Sequence, residues 1–415
     1  LKKKLTLVIV GGCGHVGLPL GLAFADRNVG DVYLLDVDQA KVDLVNSKRA
    51  PFMEEGIEPL IERVVGKSVF ATSDNACLGK ADVVITVIGT PVDKHLNPMV
   101  NDLKKNIDSI LQYMRDDTLL VLRSTVYPGV TSVVDRRIRE MGRNIHLAFC
   151  PERILEGKAL QELVELPQIV AAFEPGALLR ARQLFEQLTS KILEMQPLEA
   201  ELAKLFTNSW RYLNFSISNQ FYMLAESYGL DFQRIYNAVT TDYPRMKNFA
   251  RPGFAAGPCL LKDTVQLAAF AKNTFFLGHA AMLINEGLPN FLVEQLRSSV
   301  NLTGLKVGIL GMAFKANSDD ARDSLSYKLK NLLEVHCQEV LCTDEYIKND
   351  PSLVSLDHVL REANIVILAA PHRAYLELKL PKSTQVVDCW GYLKAQQDTP
   401  VTTLGFVTAT PGVPV

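Results

Sequence analysis

The sequence predicts an α/β protein: two doubly wound α/β domains joined by a long-helix central domain. Three observations carry this. Short β-branched runs alternate with helical patterns over the first 130 residues. From about Pro197 to Arg297 the texture is helical, with no strand run of comparable quality. A second alternating series then opens at Lys306. At about 150 residues per domain, 415 residues allow two or three domains. One large α/β domain with a helical insertion is the alternative, and it makes the same strand assignments.

In chain order, residues 5–10, 32–35, 83–88 and 119–122 read as buried parallel strands, and 145–149 is strand-like. A glycine-rich turn at 12–17 follows the first strand and leads into an apolar helix over 18–25. One long helical pattern covers 197–230, and more helix follows through 231–297, including 264–272. Strands return at 306–310, 340–342, 365–368 and 385–387, and the tail after Thr399 reads as coil. The expected divisions are 1–196, 197–299 and 300–415.

Composition narrows the function classes. Hydrophobic residues at 48% and charged residues at 22% match a folded globular chain rather than a disordered or fibrous one. The 44 Lys plus Arg against 46 Asp plus Glu, without a long single-sign block, argue against a nucleic-acid or membrane-surface partner. Seven cysteines, an odd number without paired Cys-x-x-Cys units, point to reduced thiols and a cytoplasmic setting. The start lacks the apolar core of a secretory signal. The longest nearly unbroken apolar stretch, 274–284, is far short of the roughly 18 residues that span a bilayer. Seven scattered histidines suggest no metal site.

Gly12-Cys13-Gly14-His15-Val16-Gly17, between a strand and a helix, has the context of a dinucleotide fingerprint. Gly12 is expected to permit the tight turn, Gly14 to let a pyrophosphate approach helix amides, and Gly17 to let helix and strand pack closely. Asp36, 19 residues past Gly17, is placed for ribose hydroxyls and against a 2′-phosphate, which favours NAD over NADP. Gly257-Pro258-Cys259 precedes a helical run, with Lys262 and Asp263 three and four residues on. A thiol in a first helical turn beside a cation is a candidate nucleophile, although an inert buried cysteine fits that stretch taken alone. Lys204 and Asn208 share one helix face, suited to an oxyanion or equally to solvent. Glu152 and Glu156 lie beyond the strand-like 145–149, and Lys315 and Arg322 follow a strand and glycine at 311.

Together these stretches resemble the UDP-glucose/GDP-mannose (nucleotide-sugar 6-) dehydrogenase family, in the order and approximate spacing of 12–17, 89–91, 124–129, 151–157, 204–208, 257–263 and 311–324. The resemblance implies Rossmann-like outer domains and an NAD-dependent four-electron oxidation of a sugar C6 hydroxyl to the uronic acid. It implies Cys259 as nucleophile, forming a thiohemiacetal and then a thioester. Lys204 and Asn208 would stabilise oxyanions, Asp263 would assist proton transfer, Glu152 would act in thioester hydrolysis, and Thr125 would place water or nicotinamide. Asp36, Lys41, Thr90, Glu156, Lys262 and Arg322 fall where the family contacts NAD. Lys315, Arg245 and Gly253 are candidates for the sugar nucleotide, and family members are usually homodimers built on the central helices.

The chain departs from the family in one stretch, with Ala255-Ala256-Gly257 where Gly-Gly usually precedes the cysteine. Arg153, 243–245 and 285–289 look more like members acting on UDP-N-acetylhexosamines such as UDP-N-acetylmannosamine than on UDP-glucose, with GDP-mannose third. A two-electron hydroxyacid dehydrogenase and a non-catalytic NAD-binding scaffold are the competing readings. Neither needs Cys259, Lys204, Asn208 and Asp263 together.

Overall fold

A computed structural model describes residues 4–88, 100–255, 257–378, 380–381 and 384–393. Thr90 and the tail after Thr399 lie outside the described residues. The chain groups into two compact units: residues 1–207 with 265–272, and 208–264 with 273–415.

The first unit is built on an eight-stranded sheet ordered β3-β2-β1-β4-β5-β6-β7-β8. In chain order these are Leu5–Val10, Gly30–Leu35, Val69–Thr72, Val83–Thr86, Leu119–Leu122, His146–Phe149, Gln168–Ala172 and Ile192–Met195. All neighbours are parallel except β6 and β7. Strands β4, β5 and β7 are buried along their whole length, because the sheet is covered on both faces. Strand order reverses beside β1, whose neighbours are β2 and β4. The crevice at the carboxyl ends of such a pair is where open α/β sheets receive ligands.

The second unit carries a four-stranded parallel sheet ordered β10-β9-β11-β12. Its strands are β9 (Lys306–Leu310), β10 (Glu339–Thr343), β11 (Ile365–Leu368) and β12 (Gln385–Val387). Helices Phe232–Thr240 and Phe276–Ser299 belong to this unit, and Leu288, Leu292 and Leu296 of the latter pack in one apolar core with Val307 and Ile309 of β9. The helices Pro197–Ser227 and Leu260–Phe270 each contribute residues to both units. The second begins at Leu260, four residues before the expected start, so Cys259 stands directly at its entrance. Among the described residues no helix is long and apolar enough to cross a membrane.

Candidate active site

In the first unit the turn after β1 lies at the strand-order reversal. The left-handed residue is Gly11, φ 81°, rather than Gly12, on which the sequence placed the tight turn. Gly11 and Gly12 donate their amides to Leu35 O at 2.8 and 3.0 Å, tying the turn to the end of β2. Gly12 is required for another reason: a Cβ there would lie 2.6 Å from Leu34 Cα. At Gly17 a Cβ would come within 2.5 Å of Gly11 O, so the helix Gly17–Asp26 packs against the turn only without a side chain. At Gly14 a Cβ would meet only Gly11 O, at 3.5 Å. Its missing side chain leaves room beside the first helical amides, the kind of cradle a pyrophosphate fills.

Asp36 ends β2 with a half-buried carboxylate. Its Oδ2 accepts from Cys13 N at 3.0 Å and its Oδ1 from Asp38 N at 3.1 Å. An ionised carboxylate has about four acceptor positions, so acceptor capacity remains for ribose hydroxyls. Cys13 itself is inert: burial, reinforced by the Asp36 charge, pushes its thiol up to about 12. Lys41 is exposed and pairs with Asp38 at 3.6 Å. These residues fit the adenosine and pyrophosphate portion of NAD.

Glu152, beyond β6, accepts from the amides of Arg153 and Ile154 at 2.6 and 2.7 Å and pairs with Arg123. Arg123 is only 1% exposed and also donates to Cys150 O at 3.2 Å and Gln168 Oε1 at 2.9 Å. Glu156 is half-buried on the same loop, whose far end Glu54 pins through Gly157 N at 2.7 Å and Ala159 N at 2.6 Å. Thr125 is half-buried in the segment between β5 and the helix Val130–Glu140. Glu201 caps that helix, accepting from Gly129 N at 2.6 Å, Thr131 N at 2.8 Å and Thr131 Oγ1 at 2.6 Å. Lys204 lies one turn beyond Glu201 on the long helix Pro197–Ser227 and is buried, which excludes a solvated face.

In the second unit Asn208, one further turn along that helix, donates from Nδ2 to Asp263 Oδ2 at 2.6 Å, and both residues are buried. Asp263 Oδ1 has no hydrogen-bond partner among the described residues and lies 3.7 Å from Lys262 Nζ. Asp263 N in turn donates to Cys259 O at 2.9 Å, closing the first turn of the helix. Cys259 is the exposed member of the seven cysteines, none of which is in a disulfide. Burial raises the thiols of the other six, to about 12 at Cys150 and Cys342 and about 11 at Cys77.

The loop ahead of Cys259 is held at two glycines. Gly253 N donates to Asn219 Oδ1 at 2.7 Å, and Asn219 Nδ2 donates to Gly253 O at 3.0 Å and to Asn285 Oδ1 at 2.9 Å. Gly257, φ 97°, donates its amide to Asp323 O at 3.3 Å, and a Cβ there would lie 2.4 Å from the Phe314 ring. The thiol loop is therefore seated on the loop that carries Lys315 and Arg322. Lys315 Nζ lies 5.4 Å from the centre of the Phe314 ring. Arg322 is matched by Asp320, with Nε bonds of 2.9 and 3.0 Å. Arg245 is exposed and stacks on Tyr243 at 5.4 Å.

Several supporting residues escaped the sequence reading: Glu54, Arg123, Glu201 and Asn219. The one available signal was a polar or charged residue at the edge of an apolar run, as with Arg123 after Leu122.

Comparison with known proteins extends this picture. Three models of the UDP-glucose/GDP-mannose dehydrogenase family match the chain: the NAD binding domain at 6–189, the central domain at 198–286 and the UDP binding domain at 308–395. A UDP-N-acetyl-D-mannosamine dehydrogenase of Methanocaldococcus jannaschii is 28% identical, the match covering 89% of this chain and 86% of the relative. The solved structure of a UDP-D-ManNAc dehydrogenase from Pyrococcus horikoshii superposes with TM-score 0.87 at 26% identity, covering 96% of this chain and 98% of that one. A UDP-glucose dehydrogenase from Pyrobaculum islandicum gives 0.86 at 25% identity, covering 95% and 96%.

Proposed function

Since the chain belongs to the UDP-glucose/GDP-mannose dehydrogenase family and is an NAD-dependent nucleotide-sugar dehydrogenase, we propose that it oxidises the C6 hydroxyl of a UDP-N-acetylhexosamine, UDP-N-acetylmannosamine first among them, to the carboxylate. The observation that carries this reading is the exposed Cys259 at a helix entrance, on a loop packed through Gly257 against the Lys315 loop. NAD, when bound, accepts the hydride in each of the two oxidations. An aldehyde yields a second hydride only after a nucleophile adds to it. Cys259 adds as the thiolate, giving a thiohemiacetal whose oxidation leaves a thioester. Water then releases the carboxylate and restores the thiol.

The remaining roles follow the family pattern. Asn208, its amide oriented by Asp263, and Lys204 stabilise the oxyanions. Asp263 takes part in proton transfer and Glu152 in thioester hydrolysis, and Thr125 places water or nicotinamide. The Gly12, Gly14 and Gly17 turn, Asp36, Lys41, Thr90, Glu156, Lys262 and Arg322 hold NAD; Lys315, Arg245 and Gly253 hold the sugar nucleotide. The three tasks divide over 1–196, 197–299 and 300–415. A homodimer is supported by exposed Phe206, Trp210, Ile217, Phe221 and Leu224 along one face of the long helix. A reducing cytoplasmic setting is supported by seven cysteines outside any disulfide.

Incubation with NAD and a panel of UDP- and GDP-sugars tests the reading by counting NADH formed per sugar consumed. Two per sugar is expected, with UDP-N-acetylmannosamine preferred; one per sugar would show a two-electron enzyme. UDP-glucose is the second reading, because the Pyrobaculum islandicum enzyme superposes nearly as well as the Pyrococcus horikoshii one. Cys259→Ala should abolish acid formation while leaving NAD binding intact, and a variant with normal turnover would sink the thioester route.

A further inference from the structure

The second sheet contains a buried group that the mechanism does not use. Asp344, at the end of β10, has a fully buried side chain. Its Oδ2 accepts from Met312 N at 2.6 Å and Ala313 N at 2.9 Å, and its Oδ1 from Tyr346 N at 2.8 Å and Ile347 N at 3.1 Å. His372, beyond β11, is fully buried, and its Nε2 lies 3.0 Å from Asp344 Oδ2. The opposite ring nitrogen, Nδ1, accepts the amide hydrogen of Asn317 at 2.8 Å. That bond places the ring proton on Nε2, so a neutral imidazole donates to Asp344.

Lys315 lies midway between the two anchors. Ala313, two residues before it, is held by the carboxylate, and Asn317, two residues after it, is held by the imidazole. Asn317 is in the left-handed region, φ 52°, which asparagine adopts more readily than most non-glycine residues. Its side-chain Oδ1 accepts from Arg373 N at 2.8 Å, next to His372 in the chain. The imidazole therefore joins the carboxylate directly to the Asn317 backbone at the far end of the turn, while Tyr346, whose amide donates to Asp344 Oδ1 at 2.8 Å, reaches only the Asn317 side chain, its hydroxyl donating to Oδ1 at 3.4 Å.

We propose that His372 is a positioning residue for the sugar-nucleotide loop: with Asp344 it clamps 312–317 at both ends and so aims Lys315 at the nucleoside diphosphate. This rests on the reading of Lys315 as a diphosphate ligand. His372 touches no reacting atom; it acts through the Asn317 backbone.

Two substitutions separate the two ring nitrogens. Asn offers an acceptor close to the place of Nδ1, and Gln a donor close to the place of Nε2. His372→Asn should bind UDP within about threefold of the parent protein, while His372→Gln and Lys315→Ala bind it about tenfold more weakly, the scale of one lost hydrogen bond or charge contact. In the two His372 variants the sugar-nucleotide KM should follow the same order, with kcat at saturation and NAD binding unchanged. Amide hydrogen exchange at Asn317 reads the clamp without ligand: protection retained in His372→Asn and lost in His372→Gln is expected. Equal UDP loss in both His372 variants, or retained protection in His372→Gln, overturns the clamp. Normal UDP binding by Lys315→Ala, with the exchange pattern as expected, instead overturns the role of Lys315 and with it the aim assigned to the clamp.

Discussion

At the end of β1 the chain turns at Gly11, φ 81°, and enters a helix at Gly17; at the end of β9 it turns at Gly311, φ 91°, and reaches its helix only at Leu325. Each turn is followed in space by an aspartate at the end of the neighbouring strand, Asp36 beyond β2 and Asp344 beyond β10. Asp36 spends two hydrogen bonds on backbone amides and keeps acceptor capacity at a half-buried surface. Asp344 is closed over by four amides and an imidazole. The first turn leads directly into helix amides, where we propose the NAD pyrophosphate binds; the second has a long loop in that place, with Lys315 and Arg322 on it. A glycine turn after a parallel strand therefore does not by itself name a ligand. The bonding state of the next strand's carboxylate separates one with acceptor capacity to spare from a structural staple.

Exchanging the test between the two aspartates should break this comparison if it is wrong. Asp344→Ala leaves buried amides and His372 without an acceptor, so a loss of about 3 kcal/mol or more is expected in denaturant unfolding of the second unit. Asp36→Ala should change stability by no more than about 1 kcal/mol, yet reduce NAD-over-NADP discrimination by roughly tenfold to a hundredfold in kcat/KM. Equal stability losses would erase the distinction.

Acid sharpens it further. Burial would raise the Asp344 carboxyl, but the His372 hydrogen bond, with the Tyr346 and Ala313 amides, holds it down at about 2 against an ordinary 3.8. A depressed carboxylate stabilises the fold above its unfolded value and loses that contribution as pH falls through the folded one. About 2 kcal/mol should therefore disappear between roughly pH 4 and pH 2, and Asp344→Asn should flatten that part of the stability profile. The smallest effect is expected at Gly14→Ala, where the fold has room for the Cβ. NAD binding should weaken by about tenfold through loss of close phosphate approach, with unfolding unchanged.

Much of the fold was legible because parallel strands buried on both faces are short apolar runs: residues 5–10, 119–122, 306–310 and 365–368 are strands over those same spans. Three strands of the first sheet were not foreseen. Val69–Thr72 and Ile192–Met195 are four-residue edge strands with half-buried or exposed positions, and Gln168–Ala172, which pairs antiparallel with β6, breaks the repeating pattern. The thiol helix starts at Leu260, ahead of the expected 264, because Leu260 and Leu261 are strong helix formers that extend it toward Cys259. Glu54 and Glu201 were invisible for another reason: the amides they hold lie 103 and 105, and 72 and 70, residues away.

The sequence by itself determined what local chemistry can determine: the alternation of strand and helix, the glycine positions that packing demands, and the thiol at a helix entrance. Only the tertiary structure decided which of the seven cysteines is exposed, that Lys204, Asn208 and Asp263 are buried rather than solvated, and that Asp344 is a staple while Asp36 keeps room for a ligand. Burial and hydrogen-bond saturation depend on partners far apart in the chain, and no local pattern records which of a carboxylate's lone pairs the fold has already used.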